Sequence, residues 1–67
     1  MGLKWTDSRE IAIALNETHP DVDPRTILFT DLFNMVRKLD GFEDDPAHCG
    51  ERILEAIWMA WIEEAGI

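Results

Sequence analysis

The sequence predicts one mainly α domain, residues 1–67, built from three short helices with little or no strand. Three observations predict it. Apolar residues recur at helical spacing in three separate stretches. Proline falls only between those stretches, and glycine beside them. Hydrophobic residues make up 46% of the chain, enough for a small core despite the high charge. A domain of this size buries only roughly 60% of its chain surface, so the core needs large side chains. Trp5, Trp58, Trp61, Phe29, Phe33 and Phe42 supply them.

The first helix is expected from Ser8 to about Thr18, with Asp7 as its cap and Glu10 completing a capping-box pair. Ile11, Ala14, Leu15 and Thr18 form its inward stripe, and Pro20 ends it. In "PDVDPRT" that follows, Asp23 is placed to cap a short helical turn opened by Pro24. "TILF", residues 26–29, reads as briefly extended. The second helix is expected to start at a Thr30 cap, with Asp31 complementing its dipole. Leu32, Met35, Val36 and Leu39 make its apolar stripe, Arg37 and Lys38 suit its C-terminal end, and Gly41 is its stop. Phe33 lies off that stripe. Asp45 before Pro46 is placed to open a preliminary turn, and the third helix then runs from Gly50 or Glu51 to Glu64. Its face of Ile53, Ile57, Ala60 and Trp61, widened by Leu54 and Trp58, predicts burial against both other helices. Three such helices suggest a compact fold of helix-turn-helix or winged-helix type.

Fourteen acids against six bases give a formal net charge of −8. That field repels nucleic acid and anionic membranes and attracts cations and basic protein surfaces. Arg37 and Lys38 do not turn the second helix into a DNA reader against it. No nucleic acid or membrane partner is expected, and a monomer is. Cys49 is the only cysteine, which excludes an intrachain disulfide and fits a reducing, cytoplasmic setting. "MGLKWTDSRE" lacks the apolar centre of a secretory leader, and no apolar run approaches membrane-spanning length.

Catalytic residues are not expected. His48 and Cys49 are adjacent in sequence and would not face each other on a helix, and no phosphate-cradling glycine loop stands out. One cysteine and two histidines do not make a closed zinc site. "DVDPRTILFTDL" fails as a calcium loop: Arg25 and Thr26 stand at the third ligand and glycine positions, and Leu32 where the final glutamate belongs. What remains is an open acidic face. Asp21, Asp23 and Asp31 are close in sequence, as are Asp40, Glu43, Asp44 and Asp45. Asp7, Asp23, Asp31 and Asp45 each have a capping role to play, whereas Glu43 and Asp44 look surplus to capping. Such a face suits weak binding of a hard cation, or docking of a basic protein surface around an exposed aromatic such as Phe42 or Phe33.

Taken together, "LKWTDSREIAIAL", "HPDVDPRTILFTDL", "LDGFEDDP" and "ERILEAIWMAWIEEA" resemble the IscX (YfhJ) family of iron–sulfur cluster assembly proteins over essentially the whole chain. The resemblance implies a modified winged-helix-like domain that acts as a non-enzymatic adaptor or regulator. Its implied partners are the cysteine desulfurase that supplies sulfur, and other iron–sulfur assembly proteins. No cofactor is required, but weak Fe2+ binding on the acidic surface is implied, which makes an iron carrier the alternative reading. Carried over by position, the metal-facing acids would be Asp21, Asp23, Asp31, Glu43, Asp44 and Asp45. The partner-facing residues would be Asp7, Asp31, Asp40, Phe42, Glu43, Asp44 and Asp45. The sequence departs from the family pattern at Phe33, Asn34 and Met35, and at "HCG" (48–50), where the family commonly has a serine before the third helix.

Overall fold

The computed structural model describes residues 2–66. It contains α1 (Ser8–Thr18), α2 (Phe29–Arg37) and α3 (Glu51–Ala65), with single 3-10 turns at Pro24–Thr26 and Pro46–His48. The architecture is therefore mainly α, as the periodicity predicts. Among the described residues the only β pairing is an isolated parallel bridge between Leu3 and Phe42. No wing of paired strands accompanies the helices there.

α1 and α3 form the most extensive helix pair, and α2 packs against both. The core is Trp5, Ile11, Ala12, Leu15, Leu32, Val36, Leu39, Ile57 and Trp61. Each predicted stripe contributes its centre to this core, while its edges (Ala14, Met35, Ile53, Leu54, Trp58, Ala60) pack half-buried around it. Thr18 is the exception: it is exposed and bonds back to the Ala14 carbonyl at 2.7 Å. Leu39 stays buried although α2 ends two residues earlier. The following turn passes through Gly41 at φ 82°, a conformation that glycine adopts without the cost of a Cβ.

The N-terminal caps depart from expectation. Asp7 does not cap α1 through its side chain. Its carboxylate instead accepts the Lys4 N–H at 3.0 Å, closing the turn that directs Trp5 inward, so the predicted box with Glu10 does not form. α2 begins at Phe29, with Leu28 rather than Thr30 in the cap position. Phe29 is drawn into the helix by its edge-on contact with Trp58, ring centroids 5.9 Å apart. Asp31 consequently sits inside the first turn, where it still complements the dipole. The extended piece shrinks to Ile27 and Leu28. Both Asp-Pro expectations hold: Asp23 accepts from Arg25 N–H at 3.0 Å and Asp45 from Ala47 N–H at 2.9 Å. α3 starts after Gly50, which caps it without a side-chain bond.

Candidate functional site

The acid-rich segment 40–45 is fastened along its length to the N-terminal segment. Leu3 N–H donates to the Gly41 carbonyl at 2.7 Å, and Glu43 N–H to the Leu3 carbonyl at 2.9 Å. Lys4 Nζ reaches the Glu43 carbonyl at 2.6 Å. The Trp5 indole N–H donates to the Asp45 carbonyl at 2.8 Å. These bonds join residues about forty positions apart, so they exist only once the chain is folded.

Trp5 is the anchor on the N-terminal side. It is 1% exposed, stacks on Phe33 at 5.4 Å with 7° between planes, and meets Phe42 edge-on at 4.7 Å. Burying a side chain of this size stabilises by roughly 4–6 kcal/mol as an upper figure. Phe33 is covered on one side by Trp5, and the Arg37 guanidinium lies 5.5 Å from its ring centroid. Phe33 and Phe42 are therefore half-buried packing residues, not the free aromatics that a docking surface was expected to show.

Asp44 is the anchor on the loop side. One carboxylate oxygen accepts Trp5 N–H at 3.0 Å. The other accepts Asp45 N–H at 2.7 Å and faces His48 Nδ1 at 2.9 Å. The Trp5 N–H, then His48, hold its carboxyl down to about 2, well below the usual 3.8. The same contact with Asp44 raises the His48 pKa. Asp44 is thus not a surplus charge but the clasp of the loop.

The other candidate residues divide similarly. Asp23 is committed to Arg25, with Nε at 3.2 Å and Nη2 at 3.1 Å from its two oxygens. That hydrogen-bonded cation lowers the Asp23 pKa. Asp45 caps its 3-10 turn and Asp7 closes the Lys4 turn. Asp21, Asp31, Asp40 and Glu43 are exposed, and none of their carboxylates has a hydrogen-bond partner among the described residues. Asp31 lines a hollow of about 410 Å³ with Val22, Ile27, Asn34, Met35 and Lys38. Asp21 and Asp23 line another with Asn16, Pro20 and Ala65, between the ends of α1 and α3. The acids therefore form two groups anchored by different contacts, one on the 40–45 loop and one around the 20–31 segment.

Among the described residues, no three His, Cys, Asp or Glu side chains come together in a way that could hold a metal ion. His48 is turned to Asp44, while the Cys49 thiol points to the Gly50 carbonyl at 3.7 Å. Burial pushes the Cys49 pKa up, the opposite of an activated nucleophile.

Sequence reasoning missed Trp5 as organiser of the loop and Asp44 as its acceptor. The available signal was the tryptophan itself: a buried indole normally needs a partner for its N–H, and the nearest helix begins only at Ser8.

The class this defines is a small acidic helical domain whose distinctive feature is a carboxylate loop pre-formed on its surface. Residues 3–66 match the protein family described as "Iron-sulphur cluster assembly". The chain belongs to that family, the family of IscX (YfhJ), as the resemblance of its motifs implied. It is also 58% identical over 64 residues to an uncharacterized protein of Pseudomonas aeruginosa, covering 96% of this chain and 97% of that one. Among the described residues no helix is long and apolar enough to cross a membrane.

Proposed function

We propose that this protein is a non-enzymatic adaptor of iron–sulfur cluster assembly that docks on the cysteine desulfurase through its 40–45 loop. Membership in the assembly family supports the general role. The observation that carries the docking reading is the division of labour within the loop. Asp44 and Asp45 hold the backbone, while Asp40 and Glu43 are exposed and their carboxylates have no hydrogen-bond partner among the described residues. A basic surface approaching such a loop meets charges already in position, so little ordering entropy opposes association, and opposed fields speed the encounter. The adaptor works in the cytoplasm as a monomer and regulates sulfur supply by occupying the desulfurase surface.

Iron enters as a weakly held cargo on the same carboxylates. The unused oxygens of Asp40 and Glu43, with Asp21 and Asp31 on the second group, are suited to a hydrated ferrous ion and not to tight capture. This favours the adaptor over the dedicated iron carrier.

The test separates docking from loop collapse. Asp40→Lys with Glu43→Lys reverses the charge of two exposed acids and leaves Asp44, Asp45 and Trp5 unchanged. The double variant should bind the desulfurase at least about tenfold more weakly, and wild-type binding should weaken as salt rises. Binding indifferent to both changes refutes electrostatic docking. Stoichiometric ferrous binding that resists a mild chelator would instead support the carrier.

A further inference from the structure

The outer face of α3 carries an apolar hollow that the carboxylate loop does not use. Met59 is 61% exposed, one of the few large apolar side chains left in water. With half-buried Trp58 and Ile62, and with Glu63 at the rim, it lines a shallow hollow of about 390 Å³. The floor is fixed. The Trp58 indole N–H donates to the Pro24 carbonyl at 2.5 Å, and its ring is braced by Phe29. Met59 on top is an unbranched thioether, which adapts to irregular apolar surfaces.

Charge surrounds this hollow in a regular way. Glu51, Glu55, Met59 and Glu63 follow one another at i+4 spacing and are all exposed, so they form one row along the helix. Among the described residues none of these glutamates lies in an ion pair. Arg9 shares a neighbouring hollow with Glu63 and Glu64 without reaching ion-pair distance of either.

We propose that this face docks a basic amphipathic helix of a partner protein. Apolar side chains three or four residues apart would cover Met59, Ile62 and Trp58, and flanking lysines or arginines would meet Glu55 and Glu63, the helix-in-groove mode. Charge complementarity selects this occupant. A second copy would bring a net charge of −8 against −8 and set glutamate against glutamate, and an anionic bilayer is repelled for the same reason. The surface shares no residue with Asp40 and Glu43, so it stands or falls independently of the desulfurase reading.

The test uses the full chain and a synthetic amphipathic leucine–lysine helix as probe, followed by titration calorimetry and amide and indole NMR shifts. Saturable one-to-one binding is expected, with shifts concentrated at residues 55–63 and the Trp58 indole. Met59→Lys should weaken binding about tenfold or more with unchanged circular dichroism. Asp40→Lys with Glu43→Lys should alter it by less than about twofold. Shifts centred on residues 40–45, or full affinity in Met59→Lys, overturn the proposal. So does a dimer in sedimentation, or binding to phosphatidylglycerol vesicles, that Met59→Lys abolishes, because the occupant is then a second copy or a lipid surface.

Discussion

Trp5 and Trp61 are almost equally buried, at 1% and 0% exposure, yet their indole N–H groups fare differently. That of Trp5 donates to the Asp45 carbonyl; that of Trp61 is buried with no partner among the described residues. An unsatisfied buried donor costs about 1–3 kcal/mol, so removing it recovers part of what a smaller ring loses. Trp5→Phe should therefore destabilise more than Trp61→Phe, by about 1–2 kcal/mol, as read from urea unfolding midpoints; the reverse order would discredit the clasp as described. The Asp44–His48 contact supplies a pH signature at the same scale. The Asp44 pKa is depressed from 3.8 to about 2, so its contribution is present above 3.8 and lost as pH falls through about 2. The His48 pKa is raised from 6.5, so its contribution is complete below 6.5 and lost as pH rises through the raised value. His48 is 68% exposed, which keeps its effect small. Asp44→Asn should remove part of the acid transition in stability, and His48→Gln should flatten the pH dependence above about pH 6.5.

At the scale of elements, helix existence and faces follow from the sequence, while helix beginnings depend on packing. α1 occupies the expected Ser8–Thr18, and α3 ends one residue beyond the expected Glu64. α2 starts earlier than the Thr30 cap predicts, with Phe29 inside its first turn and edge-on to Trp58. The consequence is a weak start: Leu28 caps α2 without a side-chain bond while 68% exposed. Its backbone, at φ −80° and ψ 144°, is already that of a good cap. Leu28→Asp should therefore stabilise by about 1 kcal/mol and raise the melting temperature by roughly 4–8 °C. A lower melting temperature would mean that Leu28 packs in a way its exposure conceals.

For the whole molecule, the charge of −8 acts on stability and on association with opposite signs. Self-repulsion opposes the compact state, so raising salt from a few millimolar to about 150 mM should raise the melting temperature. The same screening should weaken desulfurase binding. Parallel loss of both would show that salt acts on fold integrity and not on the encounter. The dimensions, 29 × 23 × 16 Å, keep every element within one or two side chains of solvent. That is why so small a domain uses the carboxylates of Asp44, Asp23 and Asp7 to hold its non-helical backbone.

The sequence by itself determined the helical periodicity, the sign of the molecular field, and the family that its motifs point to, because these depend on residue type and local spacing alone. It also placed the Asp23 and Asp45 turns, since an Asp-Pro step and its cap lie within three residues of each other. Only the tertiary structure decided which carboxylates remain free. Asp44 meets Trp5 across 39 positions, and no local pattern separates an acid committed to a distant N–H from one left in water. Folding brings donor and acceptor together, and among the described residues the Asp40 and Glu43 carboxylates have no such partner.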